Sequence, residues 1–391
     1  MTRPVTSSQA PVATRAPEWW QSYRVGTEAH GHHLPRCWQD VPVTRTLPAL
    51  PAFDRLKDAA LVYQSSGTTG APKTIVYSSV EWKHAVHARA WCLRRLGIGA
   101  GDRVALALPF GPWFSGDNIS QALVQLGAVV LPCGLYEPHL RGLGNLIRSL
   151  AFDTLITTPS IARALLVRKN VSAIKRLITV GEALPSGLRR ELEAGFGCRI
   201  DALFACSEGV IGHQLPDAEQ TYAWNPDFVH LEVMQDDGVI ASAGKGELLL
   251  TMRHRHLQPV LRLALGDIVT LHEDRFVFHG RKGHAFTLAT GVKVARADLD
   301  AFLDKLPFAV SGAEFRLEHG QDGRDHLSVR LHTPVPEASA ERARTILLEN
   351  NMDIRDAVVS GLVRIDVECL PAISQVVRKR RIICTEEPWR L

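Results

Sequence analysis

The sequence predicts a mixed α/β chain: parallel sheets covered by helices, a β subdomain, then a small α+β unit at the C-terminal end. Three observations carry this. Between residues 60 and 210, short apolar runs alternate with segments of helical periodicity, the pattern of strands that lie parallel and are covered on both faces. From 228 to 282 the texture changes to short alternating strands separated by turn residues. Beyond about residue 284 there are four strand patterns and one helical one. The expected units are a poorly ordered stretch at 1–17, a large unit at 18–283 with its β subdomain at about 228–282, and a small unit at 284–391.

Each element has a local reason. Residues 1–17 are rich in Pro, Ser, Thr and Ala, which favours disorder at a terminus. The run at 60–63 is apolar. Ser78-Ser79-Val80-Glu81 has the form of a capping box. Trp82, Ala85, Ala88 and Leu93 or Leu96 then recur at near-helical spacing, and Gly97 suits a helix stop. Strands are expected at 104–108, 128–131, 154–156 and 177–180. Helices are expected at 119–126 (closed by Gly127), 138–150, 160–168 and 186–195. The β segment is expected to hold strands at 229–233, 246–251 and 275–278, with a turn at Asp236-Asp237-Gly238. The last unit is expected to pair 314–317, 327–332, 363–367 and 380–384, with a helix across 339–350. In such a layout ligands sit in loops beyond the carboxyl ends of the strands.

Composition excludes several classes. The 391 residues are 46% hydrophobic and 22% charged, ordinary for a globular chain of two or three domains. No stretch approaches ~18 continuous apolar residues, and no apolar core of signal-peptide type opens the chain. Net charge is only +4. The short cluster Arg378-Lys379-Arg380-Arg381 reads as a solvated strand face rather than a nucleic-acid patch. Seven cysteines without paired spacing point to reduced thiols in a cytoplasmic protein. His30, His32, His33 and Cys37 match no standard zinc spacing, so a surface loop is expected there. Solvent exposure is likewise expected for His254 and His256.

The most informative segment is Ser65-Ser66-Gly67-Thr68-Thr69-Gly70-Ala71-Pro72-Lys73. Hydroxyls and bare backbone N–H groups suit a polyphosphate, and lysine adds a mobile positive charge. It is not the Walker loop, because Ala71 and Pro72 separate Gly70 from Lys73. On the residues alone, a mobile polar turn is an equal alternative.

The run resembles the phosphate-binding loop of adenylate-forming enzymes: acyl-CoA synthetases, peptide-synthetase adenylation domains and luciferases. Further segments resemble that superfamily in order: Gly181-Glu182-Ala183, Phe204-Ala205-Cys206-Ser207-Glu208-Gly209, Leu261-Arg262-Leu263-Ala264-Leu265-Gly266-Asp267 and Gly280-Arg281. The phrases Thr158-Pro159-Ser160, Asn225-Pro226-Asp227-Phe228 and Gly291-Val292-Lys293-Val294 are most similar to the phenylacetate-CoA ligase branch. The resemblance spans roughly residues 55–391.

This resemblance implies a ligase that adenylates a carboxylic acid with ATP, releases pyrophosphate, and passes the acyl group to coenzyme A. Alternatives are transfer to an amine or a carrier-protein thiol, or a catalytically degenerate protein that binds ATP or an acyl ligand. It implies that Ser65, Ser66, Gly67, Thr68, Thr69, Gly70 and Lys73 hold the β- and γ-phosphates. Glu208 then binds Mg²⁺, Ser207 the α-phosphate and Asp267 the ribose hydroxyls. Arg281 approaches the ribose or phosphate, and Gly181 and Glu182 line the adenine. Phe110, Trp113, Phe114 and Tyr136 fall where the acyl pocket is built, which suits an aromatic or aryl-alkyl acid, with core packing as the alternative. Asp117 is the group that would meet an amino-acid substrate's ammonium.

Three features depart from the pattern. The hinge before 284–391, a unit that the resemblance implies is mobile between half-reactions, reads Gly280-Arg281-Lys282-Gly283-His284 and lacks the usual acid. Arg378 stands in register with the terminal catalytic lysine and Lys379 one place later, so both are candidates for its role; on a strand that shift changes face. The region before the glycine-rich loop is short. The resemblance also suggests a homodimer.

Overall fold

The computed structural model describes residues 16–50, 57–65, 73–134, 137–167, 174–182, 184, 186–216, 218–282, 284–288, 293–308, 310, 312–320, 324–333, 340–371 and 381–386. The expected disorder at 1–17 therefore falls almost wholly outside the described residues.

Among the described residues, twelve strands form one continuous sheet. Its parallel half runs in the order Val129–Pro132, Arg103–Ala107, Thr154–Thr157, Arg176–Val180, Ile200–Cys206. At Ile200–Cys206 the pairing turns antiparallel. Gly209–Gln214, Thr221–Trp224, Arg275–Arg281, Leu263–Leu271, Gly244–Met252, Val229–Met234 and Ile240–Ala241 continue the ladder. The β segment is thus hydrogen-bonded into the same sheet as the parallel strands.

Side-chain alternation covers both faces of the parallel half. Val104 and Leu106 pack with helices Ser79–Arg95 and Phe114–Gln125. Ala105 and Ala107 pack with Leu143, Leu165 and Leu188 of helices Glu137–Ser149, Pro159–Val167 and Ser186–Phe196, as period-two alternation requires. The capping box forms: the Glu81 N–H donates to Ser78 Oγ at 3.2 Å, and the Ser78 N–H donates to Glu81 Oε2 at 2.8 Å. Gly97, at φ 81°, ends that helix in the left-handed region that favours glycine.

Helix Phe114–Gln125 begins before the expected 119. Ser115, Gly116, Asp117 and Asn118 are poor helix formers, and burial of Phe114 overrides them. Helix Trp20–Glu28 was not expected; it buries Trp20, Tyr23 and Thr27 at helical spacing, and both rings pack with Trp38 or with each other. The last unit builds its own core from Phe286, Phe302, Phe315, Leu327, Leu347 and Ile365. Its sheet runs Val363–Pro371, Asp325–Thr333, Gly312–His319, Arg381–Glu386, antiparallel at the centre and parallel at both outer pairs. Helix Met352–Val359 joins the expected Ala340–Asn350 there.

The histidine expectations need one correction. His32 lies within 3.0 Å of the Leu257 carbonyl, and no group of three metal-ligating residues occurs among the described residues. His254 and His256, however, are half-buried, not exposed. The His254 ring stacks on His84 at 3.9 Å between centroids, and His256 Nδ1 lies 2.9 Å from Thr27 Oγ1. The segment carrying them is strapped to the helix cap, where Glu81 Oε1 accepts the His256 and Leu257 N–H groups. Among the described residues the cysteines are free thiols, and no helix is long and apolar enough to cross a membrane.

Candidate active site

The parallel strands place their carboxyl ends along one edge, where loops between strand and helix can meet a ligand. Arg176–Val180 and Ile200–Cys206 are neighbours in that half, so the turns that follow them lie side by side. After the first comes Gly181, at φ 89°, then half-buried Glu182. After the second, Cys206 pairs with Gly209, leaving Ser207 and Glu208 as a two-residue turn.

The glycine-rich loop joins the antiparallel strands Ala59–Gln64 and Thr74–Ser78. Its ends are pinned twice. The Ser65 N–H donates to the Lys73 carbonyl at 3.0 Å, and the Lys73 N–H donates to Ser65 Oγ at 2.9 Å. Ser66, Gly67, Thr68, Thr69 and Gly70 lie outside the described residues. Lys73 Nζ donates to Glu208 Oε1 at 3.0 Å. The Glu208 side chain is 5% exposed and that of Lys73 41%, so an immobilised acid faces a cation with room to move.

The backbone of Glu208 is clamped by two residues that sequence reasoning missed. Its carbonyl accepts from Tyr77 Oη at 3.1 Å and from Arg255 Nη1 at 3.2 Å. Arg255 also donates through Nη2 to the Val76 carbonyl at 2.8 Å and lies 3.9 Å over the Tyr77 ring. One guanidinium thus ties the strand after the loop to the turn carrying the acid. Arg255 sits between two histidines in an irregular segment, and nothing in its local pattern marks this role. The Cys206 thiol beside the turn is pushed well up by burial and is no nucleophile.

Asp267 belongs to a second group. It is almost fully buried on Leu263–Leu271 and pairs in register with Arg281, the last residue of Arg275–Arg281. The Lys282 N–H donates to the Gly266 carbonyl at 2.6 Å, and Gly266 takes φ 81°. The Arg281 side chain, Gly283, Arg378 and Lys379 lie outside the described parts. Preceding this group, Arg262 holds Glu232 through two bonds of 2.8 and 2.9 Å, fully buried, with its guanidinium 4.4 Å from the Trp38 ring centroid.

The acyl-pocket aromatics separate. Phe114 is buried against Tyr77, Tyr63 and Trp82 at 5.6 to 5.9 Å between ring centroids. Phe110 packs half-buried on the same cluster. Trp113, at the N-cap of the helix, is 42% exposed. Tyr136 lies outside the described residues. Asp117 Oδ2 accepts from Tyr63 Oη at 3.2 Å.

The family described as AMP-binding enzyme matches residues 7–253. The chain belongs to that family. Phenylacetate-coenzyme A ligase of Thermus thermophilus is 25% identical over 229 residues, covering 55% of this chain and 51% of that protein. The enzyme of the same name from Aromatoleum evansii is 25% identical over 304 residues, 72% of this chain and 68% of that protein. Against the Thermus and Escherichia coli proteins, the matched region spans about half the relative's length. A solved 2-hydroxyisobutyryl-CoA ligase, in complex with 2-HIB-AMP and CoA, superposes with TM-score 0.68 at 21% identity over 95% of this chain and 86% of that one. The amide bond synthetase McbA from Marinactinospora thermotolerans gives 0.59 at 17% identity over 83% of this chain and 68% of that one. At those identities the two structures share the fold of this AMP-binding enzyme.

Proposed function

We propose that this AMP-binding enzyme adenylates a carboxylic acid. The observation that carries the proposal is the Lys73–Glu208 pair at 3.0 Å, set between the glycine-rich loop and the turn after Ile200–Cys206. A carboxylate is a poor electrophile, and adenylation gives its carbonyl a good leaving group. The acid's oxygen attacks the α-phosphorus of ATP. The Pα–O bond to the β-phosphate breaks, and pyrophosphate leaves with the electron pair. Such transfer needs positioning and charge neutralisation more than covalent help.

Each residue's part follows. The loop N–H groups and hydroxyls of 65–70, with Lys73, receive the β- and γ-phosphates. Lys73, half-exposed, leaves Glu208 for phosphate when the nucleotide enters. Glu208 then offers a buried, hard carboxylate oxygen fixed through its own carbonyl, which fits Mg²⁺. That ion, when bound, supplies further neutralisation of phosphate charge. Ser207 donates to the α-phosphate, Asp267 accepts from the ribose, and Gly181 and Glu182 border the adenine. In the second half-reaction a nucleophile attacks the acyl carbon, the carbon–oxygen bond to AMP breaks, and AMP leaves.

Coenzyme A is the acceptor we favour, because the relatives named above are coenzyme A ligases. Transfer to an amine is the second reading. It is favoured by the hinge lacking its acid at Gly283 and by the fold shared with an amide bond synthetase. ATP–pyrophosphate exchange over aryl, aryl-alkyl, fatty and amino acids, with and without coenzyme A, separates these. Exchange plus a thioester supports the ligase, and exchange without a thioester supports an amine or carrier acceptor. No exchange with any acid refutes adenylation.

A further inference from the structure

The irregular segment 253–258 grips the backbone on both sides of the Lys73–Glu208 pair. On one side it meets Thr74–Ser78, the strand that starts directly after Lys73. There the Gln258 side chain stands in for a neighbouring strand. Its Oε1 accepts from the Val76 N–H at 3.0 Å, and its Nε2 donates to the Thr74 carbonyl at 3.1 Å. Arg255 Nη2 donates to the Val76 carbonyl at 2.8 Å. On the other side, Arg255 Nη1 donates to the carbonyl of Glu208 itself at 3.2 Å. Arg255 and Gln258 are both buried, so these bonds are sheltered from water.

This bridge needs a guanidinium. One planar fork reaches two carbonyls on separate segments while its carbon lies 3.9 Å from the Tyr77 ring centroid. Tyr77 meets the same Glu208 carbonyl through its hydroxyl at 3.1 Å. Lysine at 255 would keep the charge but, as a single ammonium point, would lose the fork that spans the two carbonyls.

The segment is itself seated from two directions. Glu81 Oε1 accepts the N–H groups of His256 and Leu257, while Glu81 Oε2 completes the capping box. Helix Trp20–Glu28 covers the segment through Tyr23, Gly26 and Thr27, which share one helical face. The Tyr23 hydroxyl donates to the Arg255 carbonyl, and the Tyr23 ring centroid lies 4.7 Å from that of His256. Thr27 Oγ1 lies 2.9 Å from His256 Nδ1. A Cβ on Gly26 would stand 3.2 Å from the His256 ring. Glycine is a poor residue inside a helix, and here it permits this close approach.

Resting on the adenylation reading above, we propose that segment 253–258 is the positioning element of the site, that Arg255 sets the placement of Glu208 against Lys73, and that helix Trp20–Glu28 acts on the reaction through it. Arg255 is a positioning residue, because both of its guanidinium bonds go to backbone carbonyls. The relay runs from the Tyr23 hydroxyl to the Arg255 carbonyl, and from the Arg255 guanidinium to the Glu208 carbonyl. It ends at the carboxylate that fits Mg²⁺. A shift of about 1 Å in such a constellation can cost a hundredfold in rate.

The test compares the native full chain with R255K and Y23F, all below their Tm. Calorimetry measures ATP binding across a Mg²⁺ titration, and ATP–pyrophosphate exchange gives kcat and the KM for the acid. R255K should lower the exchange kcat about tenfold to a hundredfold and raise the Mg²⁺ needed for half-maximal ATP binding about tenfold. The KM for the acid should not change. Y23F should move the first two quantities in the same direction by about threefold to tenfold, the scale of one hydrogen bond. R255K with native kcat and native Mg²⁺ dependence overturns the proposal whatever its Tm, because a role in packing alone moves only Tm. If R255K does not fold, Y23F decides: the paired shift supports the relay, and native values overturn it. If no acid supports exchange, adenylation falls, and the Mg²⁺ dependence of ATP binding alone supports or overturns the positioning role.

Discussion

At the scale of single residues, Glu208 and Lys73 differ in what they can lose. Glu208 is buried and fixed through its carbonyl, whereas half the Lys73 side chain meets solvent. The exposed partner contributes little to stability. Lys73→Ala should therefore shift Tm little while lowering the ATP–pyrophosphate exchange rate by about a hundredfold, on the scale of losing one preorganised charge contact. Retention of full exchange would remove Lys73 from the site. Arg262 presents the opposite case. Burial pushes the Glu232 carboxyl up, yet His230, at 3.9 Å, and Arg262, through two hydrogen bonds, hold it down at about 2. Arg262→Leu leaves that acid buried without its guanidinium, a loss of about 3–5 kcal/mol by denaturant titration. A loss under 1 kcal/mol would show the pair to be dispensable. Lys73 and Glu208 were legible in the sequence because short motifs carry them. Arg255 was not, because its partner is a backbone carbonyl 47 positions away.

At the scale of elements, periodicity and end signals were legible where both were present. Helix Ser79–Arg95 had a capping box, an apolar stripe and a glycine stop, and forms between them. Helix Phe114–Gln125 lacked a cap, and its first turn is held by burial of Phe114 rather than by propensity. The irregular segment around 253–258 had no pattern to read, yet it holds Arg255 and carries the stacked His254. Burial, then His84, lowers the His254 pKa to about 4, against the opposing pull of its contact with the Asp227 carbonyl. Arg253 and His256 also face it and push the same way as His84. A histidine buried neutral takes up its proton only on unfolding. Its effect on stability is absent above the unfolded value near 6.5 and becomes destabilising as pH falls from there toward 4. His213, also lowered to about 4 by burial, adds to the same window. Tm should fall between pH 6.5 and 4.5, and His254→Gln should flatten that slope. An unchanged slope in the variant would assign the acid sensitivity elsewhere.

At the scale of the molecule, one sheet carries the proposed chemistry from its parallel half into its antiparallel half. Gly181 and Glu208 follow neighbouring parallel strands, and Asp267 lies on an antiparallel strand of the same ladder. The α/β order was legible because βαβ alternation is local. The continuity of the twelve strands was not, because pairing between Thr221–Trp224 and Arg275–Arg281 joins segments far apart in sequence. The last unit has a separate core and sheet, and we propose that residues 284–391 move as that unit between the half-reactions. The central claim is adenylation at the Lys73–Glu208 pair. It is tested most directly by ATP–pyrophosphate exchange with the native chain and Glu208→Gln on the same acid panel. The account predicts exchange with at least one acid, and its loss by a hundredfold or more in a variant of unchanged circular dichroism. Native chain that binds ATP yet exchanges with no acid, or a Glu208→Gln variant as active as native, would contradict it.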